Sequence, residues 1–199
     1  MPQTGKARSC RCAWQGDGVE MPGVGRLTLD EDLGWYHSGP VVAGALRGAV
    51  GQIVTTEDYL VDDDQSAVHD AVATFLTTDD HALREASPHA FAYYLDTVRL
   101  VREQGWNLQL PEIVGQESVW DFVSFGAEFH VDRGSDGDGQ VYISIECECA
   151  WEPEHGLQLV FRAGRTVSKV GPFDGHLTNA SAFGREDLEG SVYVSPFML

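Results

Sequence analysis

The chain has 199 residues, 43% of them hydrophobic and 22% charged, with 31 acids against 13 lysines and arginines and a formal net charge of -18. That length is enough to bury a substantial core. The acid excess excludes sequence-independent binding to nucleic acid, which relies on neutralising phosphates with cations, and binding to an anionic membrane surface. It leaves two uses for the charge: solubility, and steering of a basic partner.

No apolar run of roughly 18 residues occurs, so no transmembrane helix is expected. Met1 to Arg11 carries positive charge without the apolar stretch of a signal peptide behind it. The expected location is the cytoplasm, with Cys10, Cys12, Cys147 and Cys149 as thiols. Lysine occurs at Lys6 and Lys169 and nowhere else, while arginine, alanine, glycine and aspartate abound. That usage resembles bacterial proteins encoded at high GC content.

Residues 1–20 are polar and glycine-rich and read as a flexible tail, with residues 21–199 as a single α+β domain. Arg26 to Leu29 alternates as a strand and Asp30 to Gly34 reads as a turn. Trp35 to His37, Val41 to Leu46 and Val50 to Thr55 continue as short strands separated by Gly39-Pro40 and Arg47-Gly48. Val68, Val72, Phe75 and Leu76 then recur at helical spacing, so a helix starts near Gln65, with the acidic run Asp62-Asp63-Asp64 as its lead-in and N-cap. Asp79 or Asp80 can cap a short helix through Arg84. Ser87-Pro88 has the form of an N-cap followed by proline at the first position, opening a further helix with Phe91, Tyr94, Leu95, Val98 and Val101 on one side and Gly105 at its end. Ser118 to Val123 reads as a short helix.

The last third returns to strands. Phe125, Ala127, Phe129 and Val131 alternate with polar residues, and Gly134 to Gly139 turns the chain into Val141–Cys149. On that strand Val141, Ile143, Ile145, Cys147, Cys149 and the following Trp151 fall on one face, while Tyr142, Ser144, Glu146 and Glu148 fall on the other, expected to be wet. Glu152 to Gly156 turns into Leu157–Arg162, and Ala163-Gly164-Arg165 into Val167–Val170; Ser191 to Ser195 reads as a last strand. The order predicts an antiparallel sheet, an N-terminal meander plus a C-terminal one, covered on one face by helices from the middle of the chain.

Glu146 to Phe161, followed by Val170-Gly-Pro-Phe-Asp-Gly-His-Leu177, resembles a bacterial family of domains of unknown function. Its members carry a Trp-x-x-Glu-His-Gly-Leu turn between C-terminal strands, preceded by a tyrosine-rich helix like Phe91-Ala-Tyr-Tyr-Leu95. The resemblance spans residues 25–177 and implies the α+β fold without an established activity. Small acidic bacterial domains of this kind resemble immunity or interaction proteins of toxin systems.

Three functional readings follow. The first is a non-enzymatic module that binds a basic, toxin-like protein, with Asp62, Asp63, Asp64, Glu146 and Glu148 as contact residues. The second is a zinc-binding domain or metal-dependent enzyme using Glu154, His155, Asp174 and His176, since imidazole and carboxylate both suit zinc and the two segments can meet at one end of the sheet. These four also have an ordinary reading, as turn residues that hydrogen-bond backbone amides. The third is a scaffold that self-associates through a strand edge.

Other chemistry has less behind it. The two Cys-x-Cys pairs suggest a four-thiolate site, but they lack the Cys-x-x-Cys spacing of a zinc knuckle, and Cys147 and Cys149 lie on an apolar strand face. Asp132, Asp136 and Asp138 echo a calcium loop without its spacing or its twelfth-position glutamate. The sequence holds no nucleophile elbow, no phosphate-binding loop and no dinucleotide fingerprint.

Overall fold

The structure is a computed structural model that describes residues 19–134 and 138–198. The elements in chain order are β1 (Val19–Met21), β2 (Gly25–Asp30), β3 (Trp35–Ala43), β4 (Ala49–Thr55), α1 (Gln65–Thr77), α2 (His81–Gln104), β5 (Val123–Phe125), β6 (Glu128–Arg133), β7 (Val141–Cys149), β8 (Leu157–Arg162), β9 (Thr166–Gly171) and α3 (Asn179–Phe183). The strands form one mixed, mostly antiparallel sheet in the order β1-β2-β3-β4-β6-β7-β8-β9, with β5 also paired to β7. The α+β expectation holds. The two meanders are joined by a parallel pair, β4 with β6, in which Ile53 faces Phe129. Val19 and Glu20, assigned to the tail from sequence, already pair with β2.

Three local expectations give way to tertiary structure. Gly39-Pro40 does not end a strand: β3 runs through it with a register shift between His37 and Pro40. Proline cannot donate to the ladder, so the irregularity accommodates it, and the Ser38 hydroxyl accepts from the Ile53 amide at 2.9 Å. Ser87-Pro88 does not start a helix, because α2 is continuous across it. Pro88 removes one backbone donor, and the indole Nε1 of Trp120 donates nearby to the Leu83 carbonyl at 3.0 Å and to the Ser87 hydroxyl at 2.8 Å. Leu95 is exposed, and the buried side of that stretch carries Tyr93, Tyr94, Thr97 and Val101. The Ser118 region is a short helix as expected, a 3-10 helix over Gln116–Phe122 that leads into β5.

Both main helices pack on the same sheet face. Phe75 of α1 meets Phe129 of β6 and Phe161 of β8 edge-on, each at 5.2 Å between ring centroids. Asp64 caps α1 as expected, accepting from the Ala67 amide at 3.2 Å. The β8–β9 turn tucks beneath α1 at Gly164, where φ is +64° and a β-carbon would collide with the Ala71 carbonyl. The residues expected on the inner face of β7, Val141 through Cys149 and then Trp151, are all buried.

The outer face of β7 departs from expectation. Glu146 and Glu148 are exposed, but Tyr142 and Ser144 are buried, as are Gln158 of β8 and Lys169 of β9. The stretch after β9 folds back over this part of the sheet. The Lys169 ammonium pairs with Asp174, donates to the Gln158 side-chain oxygen at 3.1 Å and donates to the His176 carbonyl at 3.0 Å. Gln158 passes the chain on to the Ser144 hydroxyl at 3.0 Å. A lysine side chain that is 1% exposed is therefore fully hydrogen-bonded, as a buried cation must be.

Burial pushes the Lys169 ammonium below the usual lysine range, against the opposing pull of Asp174. Between that lowered value and the ordinary 10.5 the unfolded chain binds more protons than the folded one, so this group makes stability rise with pH across the window. Lys169→Met is expected to abolish that alkaline slope and to change stability at neutral pH by no more than about 1–2 kcal/mol, because an apolar chain replaces the buried charge. Asp174→Ala strands the ammonium and is expected to cost about 1–3 kcal/mol, less than breaking a fully buried pair because Asp174 is 37% exposed. Urea unfolding of the three chains across the alkaline range checks both.

Candidate functional site

A groove of about 930 Å³ is bounded by β5, the start of β6, the end of β7 and the turn that follows it. Its origin lies in the pairing of β7. Phe125 of β5 faces Cys147 and His130 of β6 faces Ser144, so the four residues 126–129 on one side span only Ile145 and Glu146 on the other. A bulge of this size bends the strand and breaks the ladder. Gly126 sits at the closest approach, where any β-carbon would strike the Glu146 carbonyl.

The opposite wall is the Trp151–Gly156 turn. Trp151 is buried edge-on between Tyr93 and Tyr94 of α2, with both ring centroids 6.0 Å away. The Tyr93 hydroxyl donates to the Gly156 carbonyl at 3.0 Å. The tyrosine pair and the Trp-x-x-Glu-His-Gly-Leu turn, noted separately in the sequence, are thus two sides of one contact. Inside the turn the Glu152 carboxylate accepts from the amides of Glu154 and His155 at 3.2 and 3.4 Å, and its Oε1 lies 3.4 Å from Nδ1 of His155.

Five glutamates line the groove: Glu128, Glu146, Glu148, Glu152 and Glu154. Two histidines join them, with Nε2 of His130 lying 3.2 Å from Glu128 and His155 belonging to the turn. Among the described residues no lysine or arginine lines it. Phe122 and Phe125 supply an apolar part of the wall. Cys147 and Cys149 complete the lining as buried thiols whose pKa values burial pushes up to about 12, so at neutral pH they are uncharged. Cys10, Cys12 and Asp136 lie outside the described residues.

The four candidate metal ligands separate into two pairs. Asp174 serves the Lys169 ammonium, and Nδ1 of His176 lies 3.2 Å from the Ser181 hydroxyl. Among the described residues, the group of ligand atoms within 4.8 Å of one another is Glu152, Glu154 and His155. Both segments do reach the same end of the sheet, since the Phe173 amide donates to the His155 carbonyl at 3.2 Å, but the second pair's side chains are engaged elsewhere. Glu152 was not singled out in the sequence; its signal was its place one residue after the tryptophan of the turn.

The acidic candidates separate as well. Glu146 and Glu148 stand exposed in the groove. Asp62, Asp63 and Asp64 line a second concavity of about 680 Å³, together with Asp58, Asp132 and Arg133. Arg133 binds Asp62 through a 3.0 Å bond from one terminal nitrogen and a second from Nε, and holds the carboxyl below its usual range. Asp64 accepts from the Ser66 hydroxyl at 2.6 Å besides capping α1, and these bonds lower its pKa too. Two of the three aspartates are therefore committed to holding the chain together. Burial raises the pKa of Asp132 in the same concavity.

Among the described residues no helix is long and apolar enough to cross a membrane. No curated protein and no solved structure matches the chain. The family model described as Domain of unknown function (DUF6985) matches residues 23–177, which takes in the sheet from β2 to β9, helices α1 and α2, and every wall of the groove. The chain is a member of the DUF6985 family.

Proposed function

We propose that the domain is a non-enzymatic binding module, cytoplasmic and bacterial, that seats a basic segment of a macromolecular partner in the glutamate-lined groove. The observation that carries this reading is the concentration of five glutamates in one concavity whose described lining has no lysine or arginine. A cleft of one sign focuses the field of a chain that already carries a net charge of -18, so a cationic segment is drawn in quickly and held against competitors. Phe122 and Phe125 give the aliphatic stems of arginine or lysine a surface to lie on. A toxin whose basic surface must be neutralised is one partner of this kind. Asp62 and Asp64 contribute less, because their carboxylates are already engaged by Arg133 and by the Ser66 hydroxyl and Ala67 amide.

A fluorescein-labelled nona-arginine peptide is a direct probe. At low salt it is expected to bind the unaltered chain, and the pair Glu146→Lys and Glu148→Lys is expected to weaken binding by at least about tenfold through slower association. Reversal of Glu31 and Asp32, exposed acids outside the groove, serves as the control for net charge. Equal losses in the two variants, measured by anisotropy and stopped flow, would show that the groove has no special role.

A second reading rests on the proximity of Glu152, Glu154 and His155, a carboxylate and imidazole set of the kind that takes zinc. Calorimetric titration with zinc is expected to show one site that His155→Ala abolishes and His176→Ala leaves intact. Identical heats in both variants would remove the metal reading.

A further inference from the structure

A sheet with open edges presents unpaired backbone groups to any other extended chain, and native proteins blunt such edges by shortness, charge, proline, irregularity or a covering segment. One edge of this sheet is β1, three residues long and carrying Glu20. The other is β9, Thr-Val-Ser-Lys-Val-Gly, six residues long and free of acid. Its one charge, Lys169, is turned inward and buried. That buried charge and the register shift opposite Val160 and Phe161 are the protections its own sequence offers, and neither covers the strand's outer backbone groups.

The protection comes from further along the chain. Ser191 to Ser195, expected as a strand, do not enter the ladder; they run beside β9 and touch it through one backbone hydrogen bond, from the Val170 amide to the Val192 carbonyl at 2.7 Å. The segment is held there by side chains. The buried Asn179 amide donates to the carbonyls of Ser191 and Val192 at 2.8 and 3.1 Å. The Tyr193 hydroxyl donates to Asp96 of α2 at 2.9 Å, with its ring 5.8 Å from that of Tyr93. The Phe197 ring lies 3.7 Å beneath the Arg99 guanidinium. β9 lies inside the residues that the family model matches, and this segment lies beyond them.

We propose that residues 178–198 are an intramolecular edge guard for β9, latched by Asn179 and Tyr193, and that an unguarded β9 pairs antiparallel with β9 of a second copy of the chain. A second copy is the fitting occupant because pairing identical strands about a twofold axis is self-complementary. The pairing also needs no charge complementarity from a strand whose lysine is buried. A single main-chain bond makes the guard the easiest part of this edge to open, whereas β9 itself is laddered to β8 along its length.

The test is the double substitution Asn179→Ala with Tyr193→Phe in the full chain. Hydrogen exchange at the Val170 amide is expected to quicken by at least about tenfold, since one of its two latches is lost outright and the other loses its hydrogen bond. Light scattering on a sizing column is expected to show a concentration-dependent dimer that the unaltered chain does not form at the same concentration. Excess synthetic peptide of residues 188–198 is expected to return the variant to monomer. A variant that exposes Val170 yet stays monomeric overturns the pairing, and one that leaves Val170 protected overturns the latch. Should the double variant lose its far-ultraviolet circular dichroism, Tyr193→Phe alone gives the same comparison, because it removes one hydrogen bond and keeps the ring.

Discussion

The parallel pairing of β4 with β6 is the constraint on which the rest of the architecture depends. Antiparallel strands can be joined by a tight turn, but parallel neighbours need a crossover long enough to bring the chain back to the same end. Here the crossover contains α1 and α2, and that single connection puts both helices on one face of the sheet. The junction is sealed from above by Phe75 stacked edge-on against Phe129, a residue of the parallel pair itself. The two meanders on either side can then be built from short turns alone, because the one topologically demanding link has been made.

The groove follows from the same junction. β6 is held between β4 and β7, whereas β5 pairs with β7 alone, so the chain must bend between them and does so at Gly126 and Ala127. The surplus backbone at the bend and the rigid Trp151 turn across from it leave a trough between them. Its two walls are supported from opposite directions: one by sheet pairing, the other by the α2 tyrosines. Five like charges can share such a trough because the floor and walls are fixed by apolar packing and backbone bonds rather than by the charges themselves.

Much of this was legible in the sequence because period-two and period-3.6 patterns report which face of an element is buried. The inner face of β7, the start of α1 and its aspartate cap were all readable in that way. What could not be read were contacts between segments far apart in sequence. Alternation places Lys169 opposite Val170 and so on the outer face, but nothing local announces that residues 174–176 fold over that face and bury the ammonium. The parallel junction was hidden for the same reason, since short connections favour antiparallel neighbours and the crossover is not short. Within the candidate site, Glu154 and His155 were found through the turn motif, while Glu152 and Glu128 enter the same groove through folding. Asp174 and His176 were correctly placed near that end of the sheet, yet alternation cannot tell which way a side chain turns once the strand has ended.

The joint at Pro88 bears on what holds the longest helix together. Local preference at Ser87-Pro88 favours two separate helices, and one continuous helix is observed, with an indole 33 positions later in the chain bonded to Leu83 and Ser87 just before the proline. The proline leaves the helix without one of its own backbone bonds at the joint, and the indole, which donates to Leu83 and Ser87, does not replace it. Continuity across the joint is therefore secured by packing of the buried face on both sides of it, Leu83 and Ala86 before the proline and Ala90, Tyr93 and Tyr94 after it. The longest helix in the molecule is in this respect a tertiary product, held continuous by what it packs against as much as by its own ladder.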